Sequence, residues 1–248
     1  MEASRTHAPA AAASSSGAGA DADARLFAAV EAGDLAAAQA AVACGASVSA
    51  RGPGGDEPLY LACSKGHLEI AQWLHSAGAS VNATNCGGYV PLRSACSNGH
   101  LDVAQWLHSA GASLDATNDH PETSLLHQAC GMGHLEIAQW LHSEGASVNA
   151  TSCEGCTPLH SACVNGHLDL AQWLHSVGAS LDATDLAGDA PLHLACWMGH
   201  LDVAQWLCSA GADAPSRPTT AAPRRSSCSM VLAIISSTSK SFAAQWRA

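Results

Sequence analysis

The residues of this chain best equipped for chemistry are its thiols and imidazoles, 11 cysteines and 14 histidines in 248 residues. Cys153-Glu154-Gly155-Cys156 sets two thiols at metal-ligand spacing, with His160 four residues on. His127/Cys130, His160/Cys163 and His193/Cys196 each place an imidazole three residues before a thiol. Structural zinc needs four such ligands converging at about 2.0–2.3 Å, usually from two cysteine knuckles. Only one knuckle is present, and Cys130, Cys163 and Cys196 belong to a recurring apolar position that points into a core. No metal and no cofactor are therefore expected. For catalysis there is no phosphate-cradling glycine loop, no nucleophile elbow and no H-E-x-x-H pair. Carboxylates such as Glu69 and Asp102 recur at one solvated position instead of converging. The chain is expected not to be an enzyme.

What orders these residues is a repeat. GHLEIAQWLHSAGA begins at Gly66, and close copies begin at Gly99, Gly133, Gly166 and Gly199, at intervals of 33, 34, 33 and 33 residues. A period of this size marks a solenoid, in which each unit buries its apolar face only by stacking on its neighbours.

One unit, 152–184, shows the elements. Glu154-Gly155-Cys156 reads as a turn. Thr157-Pro158 then opens a short helix, with threonine at the N-cap and proline where no amide donor is needed. That helix carries Leu159, Ala162 and Cys163 and stops near Gly166. A second helix carries Leu168, Ala171, Trp173 and Leu174 on one stripe. Gly178 ends it where a left-handed backbone is easiest.

Turn, helix, helix and return loop in 33 residues resemble the ankyrin repeat. The resemblance rests on Gly155-Cys156-Thr157-Pro158-Leu159-His160-Ser161-Ala162, followed by Asn165-Gly166-His167 and Gly178-Ala179. The pattern returns from Pro58, Pro91 and Pro191, in damaged form from Leu125, and in a degenerate first copy over 24–50. It implies an all-α solenoid of stacked helix-turn-helix units with loop or β-hairpin-like tips. The units fall at about 24–50, 51–84, 85–117, 118–151, 152–184 and 185–213. Tyr60 and Arg93 replace the motif histidine, which puts its inter-repeat hydrogen bonds in doubt there. Glu57, Val90 and Ala190 replace the capping threonine, a loss of typically about 0.5–2 kcal/mol. The fourth unit has one extra residue and Leu125 in place of proline, and is expected to be the softest joint.

Trp73, Trp106, Trp140, Trp173 and Trp206 could form a stacking platform, but such platforms need a basic track. Their place on the apolar stripe, where the family carries a core leucine, reads instead as core. Truncation would then cost on the order of 3–5 kcal/mol. The histidines form three regular sets, read first as scaffold: after the inter-helix glycine, at the end of the second helix, and at the motif position.

Charge narrows the partner. Residues 24–213 hold 18 acidic side chains against Arg25, Arg51, Lys65 and Arg93, a balance of −14, while five bases and no acid lie beyond Asp213. Nucleic-acid binders need a basic face, so a protein or peptide partner, basic or neutral, is expected and nucleic acid is not. No run is long enough to cross a bilayer, so no membrane association is expected. Cys63, Cys96, Cys130, Cys163 and Cys196 occupy one repeat position. Equivalent helices stack about 8–10 Å apart, beyond the roughly 7 Å limit for a disulfide. They read as reduced core residues of an intracellular monomer, cytoplasmic first with the nucleus as the other reading. Residues 1–23 read as a disordered Ala/Ser-rich leader, with an organelle transit peptide as the competing reading because Arg5 and several serines fit it and Glu2 does not. The basic tail, 214–248, reads either as disordered or as ending in a degenerate capping repeat at 231–248, where Ala244-Gln245-Trp246 echoes Ala204-Gln205-Trp206.

The units compare with one another inside this one chain. Their second helices hardly vary, whereas the turn before the first helix and the end of that helix do. In the family these positions form the loop tips and the concave face. The expected partner-binding residues are Met132, Val164, Trp197 and Met198 as an apolar strip, with Tyr89, Asp56 and Asp189 at tips. Trp197 has a second reading, as a cap packed under the tail. The expected function is a non-enzymatic interaction scaffold. The alternatives are a metal- or pH-responsive module using the His/Cys sites, and a targeting adaptor for an enzyme acting in trans.

Overall fold

The computed structural model describes residues 15–52, 54–115 and 123–212. Twelve helices occupy them, paired into six units. The first helices of the units are α1 (Ser15–Ala32), α3 (Pro58–Lys65), α5 (Pro91–Asn98), α7 (Leu125–Met132), α9 (Pro158–Val164) and α11 (Pro191–Met198). The second helices are α2 (Leu35–Ala43), α4 (Leu68–Ser76), α6 (Leu101–Ser109), α8 (Leu135–Ser143), α10 (Leu168–Ser176) and α12 (Leu201–Ser209). Successive first helices lie in closer contact with one another than successive second helices do. That difference bends the stack and puts the first helices on its inner, concave side. Helix α1 begins at Ser15 and so takes in residues 15–23, expected as part of a leader. Its alanine-rich composition is strongly helix-forming, and Ala22 and Leu26 are buried under the first unit. The tail, expected to be either disordered or to end in a capping repeat at 231–248, lies outside the described residues.

Helix ends follow from single residues. Gly66, Gly99, Gly133 and Gly199 terminate first helices with φ of 77, 85, 85 and 81°. At the start of α9 the Thr157 amide donates to His160 Nδ1 at 3.0 Å. Glu57 and Val90 make no side-chain cap, as their types imply. At α7, where Leu125 takes the place of proline, Ser124 supplies the cap, accepting from the His127 amide at 3.4 Å. Each described tip is a tight turn closed by backbone bonds, as between the Ser152 amide and the Cys156 carbonyl at 2.9 Å. No strand occurs among the described residues. Neighbouring tips touch: the Leu186 amide donates to the Glu154 carbonyl at 2.9 Å, and the Cys86 thiol to the Gly54 carbonyl at 2.8 Å.

The core is one continuous band. Ile70, Ala71 and Leu74 of α4, and their equivalents in every later second helix, are fully buried, as are Cys63, Cys96, Cys130, Cys163 and Cys196. The tryptophans depart from expectation. All five are only partly buried and pack on the margin of this band. The centre of the helical stripe is taken by residues four apart, such as Ile70 and Leu74, and the indole falls one residue off it. Four indoles meet the histidine ending the preceding second helix edge-on. These pairs, His75–Trp106, His108–Trp140, His142–Trp173 and His175–Trp206, have ring centroids 5.9–6.0 Å apart. Because part of each indole already faces solvent, its truncation removes less burial than a wholly dry site would lose.

Candidate partner-binding face

The histidines hold the units in register, and their bonds show which ring nitrogen carries the proton. After the inter-helix glycine, His100, His134, His167 and His200 each direct Nε2 to a carbonyl of the preceding unit, at 3.0–3.1 Å. A carbonyl only accepts, so Nε2 donates. The motif histidines point the other way. His127 Nε2 donates to the Cys156 carbonyl at 2.8 Å and His160 Nε2 to the Asp189 carbonyl at 3.1 Å, each in the following unit. His160 Nδ1 accepts from the Thr157 amide at 3.0 Å, and His193 Nδ1 from the Ala190 amide at 3.0 Å. At Ala190, which has no side-chain acceptor, the histidine still satisfies the backbone amide. Both nitrogens of His160 are committed, and Cys153 is exposed at a tip while Cys156 is half-buried. Among the described residues no group of three or more His, Cys, Asp and Glu could hold a metal ion.

Where the motif histidine is missing, its bridging job survives. Arg93 donates to the Thr123 carbonyl at 3.3 Å, to Thr123 Oγ1 at 3.2 Å and to Gln128 Oε1 at 3.2 Å, all in the following unit. Tyr60 lies beside Ser94 of the following unit, and burial raises its pKa. At Arg93 the doubt raised by the substitution is removed: its longer side chain spans the same gap from the same position.

Burial lowers the pKa of His127, His160 and His193 below that of a free imidazole, against the carbonyl bonds and nearby carboxylates that work to raise it. Protons are then taken up first by the unfolded chain, so stability is full above about pH 6.5, the unfolded value, and drains away as pH falls through it toward the folded values. We expect the melting temperature to stay nearly level from pH 7.5 to about 6.5 and to fall from there to pH 5.5. Each 1 kcal/mol lost should lower it by roughly 2–4 °C for an array this size. A flat melting curve across that window, read by circular dichroism, would contradict it. Burial likewise pushes the Cys96 and Cys130 thiols up to about 12, which makes them inert packing groups.

The residues expected to form an apolar strip are accessible to differing degrees. Met132 is 54%, Met198 50% and Trp197 42% exposed, and Val164 is half-buried between them. Tyr89 stands at its tip, 39% exposed, and Asp56 is half-buried. Asp189 is a correction: it is 0% exposed. Its amide donates to Asp185 Oδ1 at 2.8 Å, its carbonyl receives His160, and its carboxylate lies close enough to His193 to bias that ring's charge. It is a structural residue of the tip, and Tyr89 at the equivalent position of the third unit is exposed because its longer side chain reaches out. Two features escaped the sequence. Leu186, 82% exposed, is the most exposed large apolar side chain among the described residues. Its only signal was an apolar residue in a variable turn. The second is a concave groove of about 360 Å³ whose lining includes Tyr60, Ser64, Tyr89, Arg93, Ser97 and Gln128.

No described helix is long and apolar enough to cross a membrane. A family model for ankyrin repeats, in three-copy blocks, fits residues 26–118 and 119–217. Among solved structures, the crystal structure of the human ASB11 ankyrin repeat domain is similar to this chain with a TM-score of 0.70 and 27% identity, covering 83% of this chain and 96% of that one. No curated protein matches the chain. With the two family matches covering most of the 248 residues, on a six-unit stack of paired helices, the chain belongs to the ankyrin-repeat family.

Proposed function

We propose that this chain is a non-enzymatic scaffold that presents its loop tips and concave helix ends to a protein or peptide. Ankyrin repeats are in general protein–protein interaction modules. The observation that carries the reading is that five of the six exposed large apolar side chains among the described residues fall on the variable positions, Tyr89, Met132, Leu186, Trp197 and Met198, the sixth being Leu201 at the start of α12. A rigid frame beneath them, pinned by inter-unit histidine bonds, keeps ordering costs on binding low. Aromatic and methionine side chains are favoured anchors. The acidic array favours basic or neutral partners at long range. On this reading the chain works as an intracellular monomer.

A photo-crosslinking amino acid placed at position 89, 132 or 198 should capture the same protein from cells, while one at the exposed second-helix residues Gln139 or Gln172 captures none. Capture that does not differ between the two faces overturns the reading. With the captured partner in hand, Trp197→Ala should weaken binding by tenfold to thirtyfold, about 1.4–2 kcal/mol, with unchanged melting. Retained binding with a lowered melting temperature would assign Trp197 to capping.

A further inference from the structure

We infer that the groove around Arg93 receives a single carboxylate of an extended peptide whose apolar residues continue along the strip toward Trp197. This deepens the proposed function and rests on it. The array is strongly acidic, yet no acid among the described residues lines this groove. Tyr60, Ser64, Tyr89, Arg93, Ser97 and Gln128 present only neutral polar groups around one guanidinium. The other three cations of 24–213 are each paired with a carboxylate in the chain. Arg25 meets Asp21, Arg51 meets Glu57 at 3.5 Å and Lys65 meets Glu31 at 3.4 Å. Arg93 alone, among the described residues, bonds only neutral oxygens. Those bonds and the Tyr89 ring, 5.3 Å from the guanidinium carbon, fix the plane of the cation and hold it at the groove. No described carboxylate neutralises it, which suits a planar carboxylate.

The same row changes character along the stack. The two residues before the inter-helix glycine run Ser64-Lys65, Ser97-Asn98, Gly131-Met132, Val164-Asn165 and Trp197-Met198, polar at one end and apolar at the other. Arg93 lies in the third unit and Trp197 in the sixth. Three inter-unit steps of about 8–10 Å span roughly 24–30 Å, or about eight residues of extended chain. The surrounding acidic field opposes a run of acids, so the ligand carries one carboxylate among neutral or basic residues.

Selection of a random 16-residue peptide library on the full chain tests this. The expected consensus has one Asp or Glu about seven to nine residues from an aromatic or aliphatic residue. For the selected peptide, acid→amide substitution should weaken binding at least tenfold on the native chain. Arg93→Gln should weaken the acidic peptide by a similar factor and leave the amide peptide unchanged, which a merely structural role of Arg93 would not do. Arg93→Lys, which keeps the charge if the loss of the Thr123 bonds unfolds the glutamine variant, should restore part of the preference. A consensus without an acid, or equal losses for both peptides, overturns this inference and leaves the concave-face reading standing. Selected peptides that ignore Trp197→Ala and Arg93→Gln, or no selected peptide at all, overturn both.

Discussion

Replacing His160 with leucine should cost on the order of 2–5 kcal/mol and loosen the stack specifically between the fifth and sixth units. The ring is only 1% exposed. It is bonded at both nitrogens, accepting from the Thr157 amide and donating to the Asp189 carbonyl of the next unit. Leucine fills much of the volume but satisfies neither group. The Asp189 carbonyl keeps a second donor, the Asp185 amide at 3.0 Å, so the heavier penalty falls on the buried Thr157 amide. In a one-dimensional stack such a defect does not spread evenly: the units beyond it detach first. Amide hydrogen exchange should therefore accelerate in α11 and α12 well before it does in α3 to α6. His100→Leu makes the contrast, since it removes one bond to the Ser64 carbonyl from a half-buried ring and should cost less. A melting temperature within about 3 °C of the parent for His160→Leu, less than 1–1.5 kcal/mol on this size of array, would show that the imidazole is not a structural link.

Most of the fold was legible because a repeat states its own register. The glycine at a helix end, the apolar residues four apart and the motif histidine recur at one period, so each unit corroborates the others. What escaped was decided by neighbours across units, which the period does not encode. The tryptophans were read into a dry core because they adjoin the stripe, yet the places at its centre belong to Ile70, Leu74 and their equivalents. Asp189 was read as a solvated tip residue because acids usually are. Its burial comes from His160 reaching over from the preceding unit and from His193 on its own. Arg93 looked like a lost histidine, whereas reach matters more than identity at that slot: a guanidinium bridges to Thr123 and Gln128 and leaves a cation facing the concave side. The leader boundary was placed on composition, and alanine-rich sequence supports a helix as readily as an unstructured arm once Leu26 and Ala22 have something to pack on. The partner-binding strip was legible to the degree that variation between units reports surface. Leu186 was missed because a lone leucine in a turn has no periodic counterpart.

Gly166→Ala and Gly199→Ala make the second large test, since they are the same substitution at the same position of adjacent units. Both glycines have a left-handed backbone, with φ of 76 and 81°, and an alanine there costs about 1–2 kcal/mol from its Cβ alone. Their surroundings differ. A Cβ on Gly166 would stand 2.5 Å from His200 Nδ1 and 2.7 Å from its Cε1, whereas one on Gly199 meets no described residue within 4 Å. The His200 ring cannot simply swing aside, because its Nε2 holds the Val164 carbonyl at 3.1 Å. Gly166→Ala must therefore break that bond or open the joint, and a total near 3 kcal/mol is expected, against about 1–2 for Gly199→Ala. His200→Ala removes the obstructing ring, so the double variant Gly166→Ala/His200→Ala should be more stable than the sum of its single losses predicts. Equal losses at 166 and 199, with no coupling to His200, would mean that the glycine is kept for its backbone alone and that the ring above it is free to move. The predicted inequality instead makes each glycine–histidine contact a fastener between units. The fastening follows from sequence order: the glycine that ends one helix leaves room for the ring that follows the same glycine one repeat later.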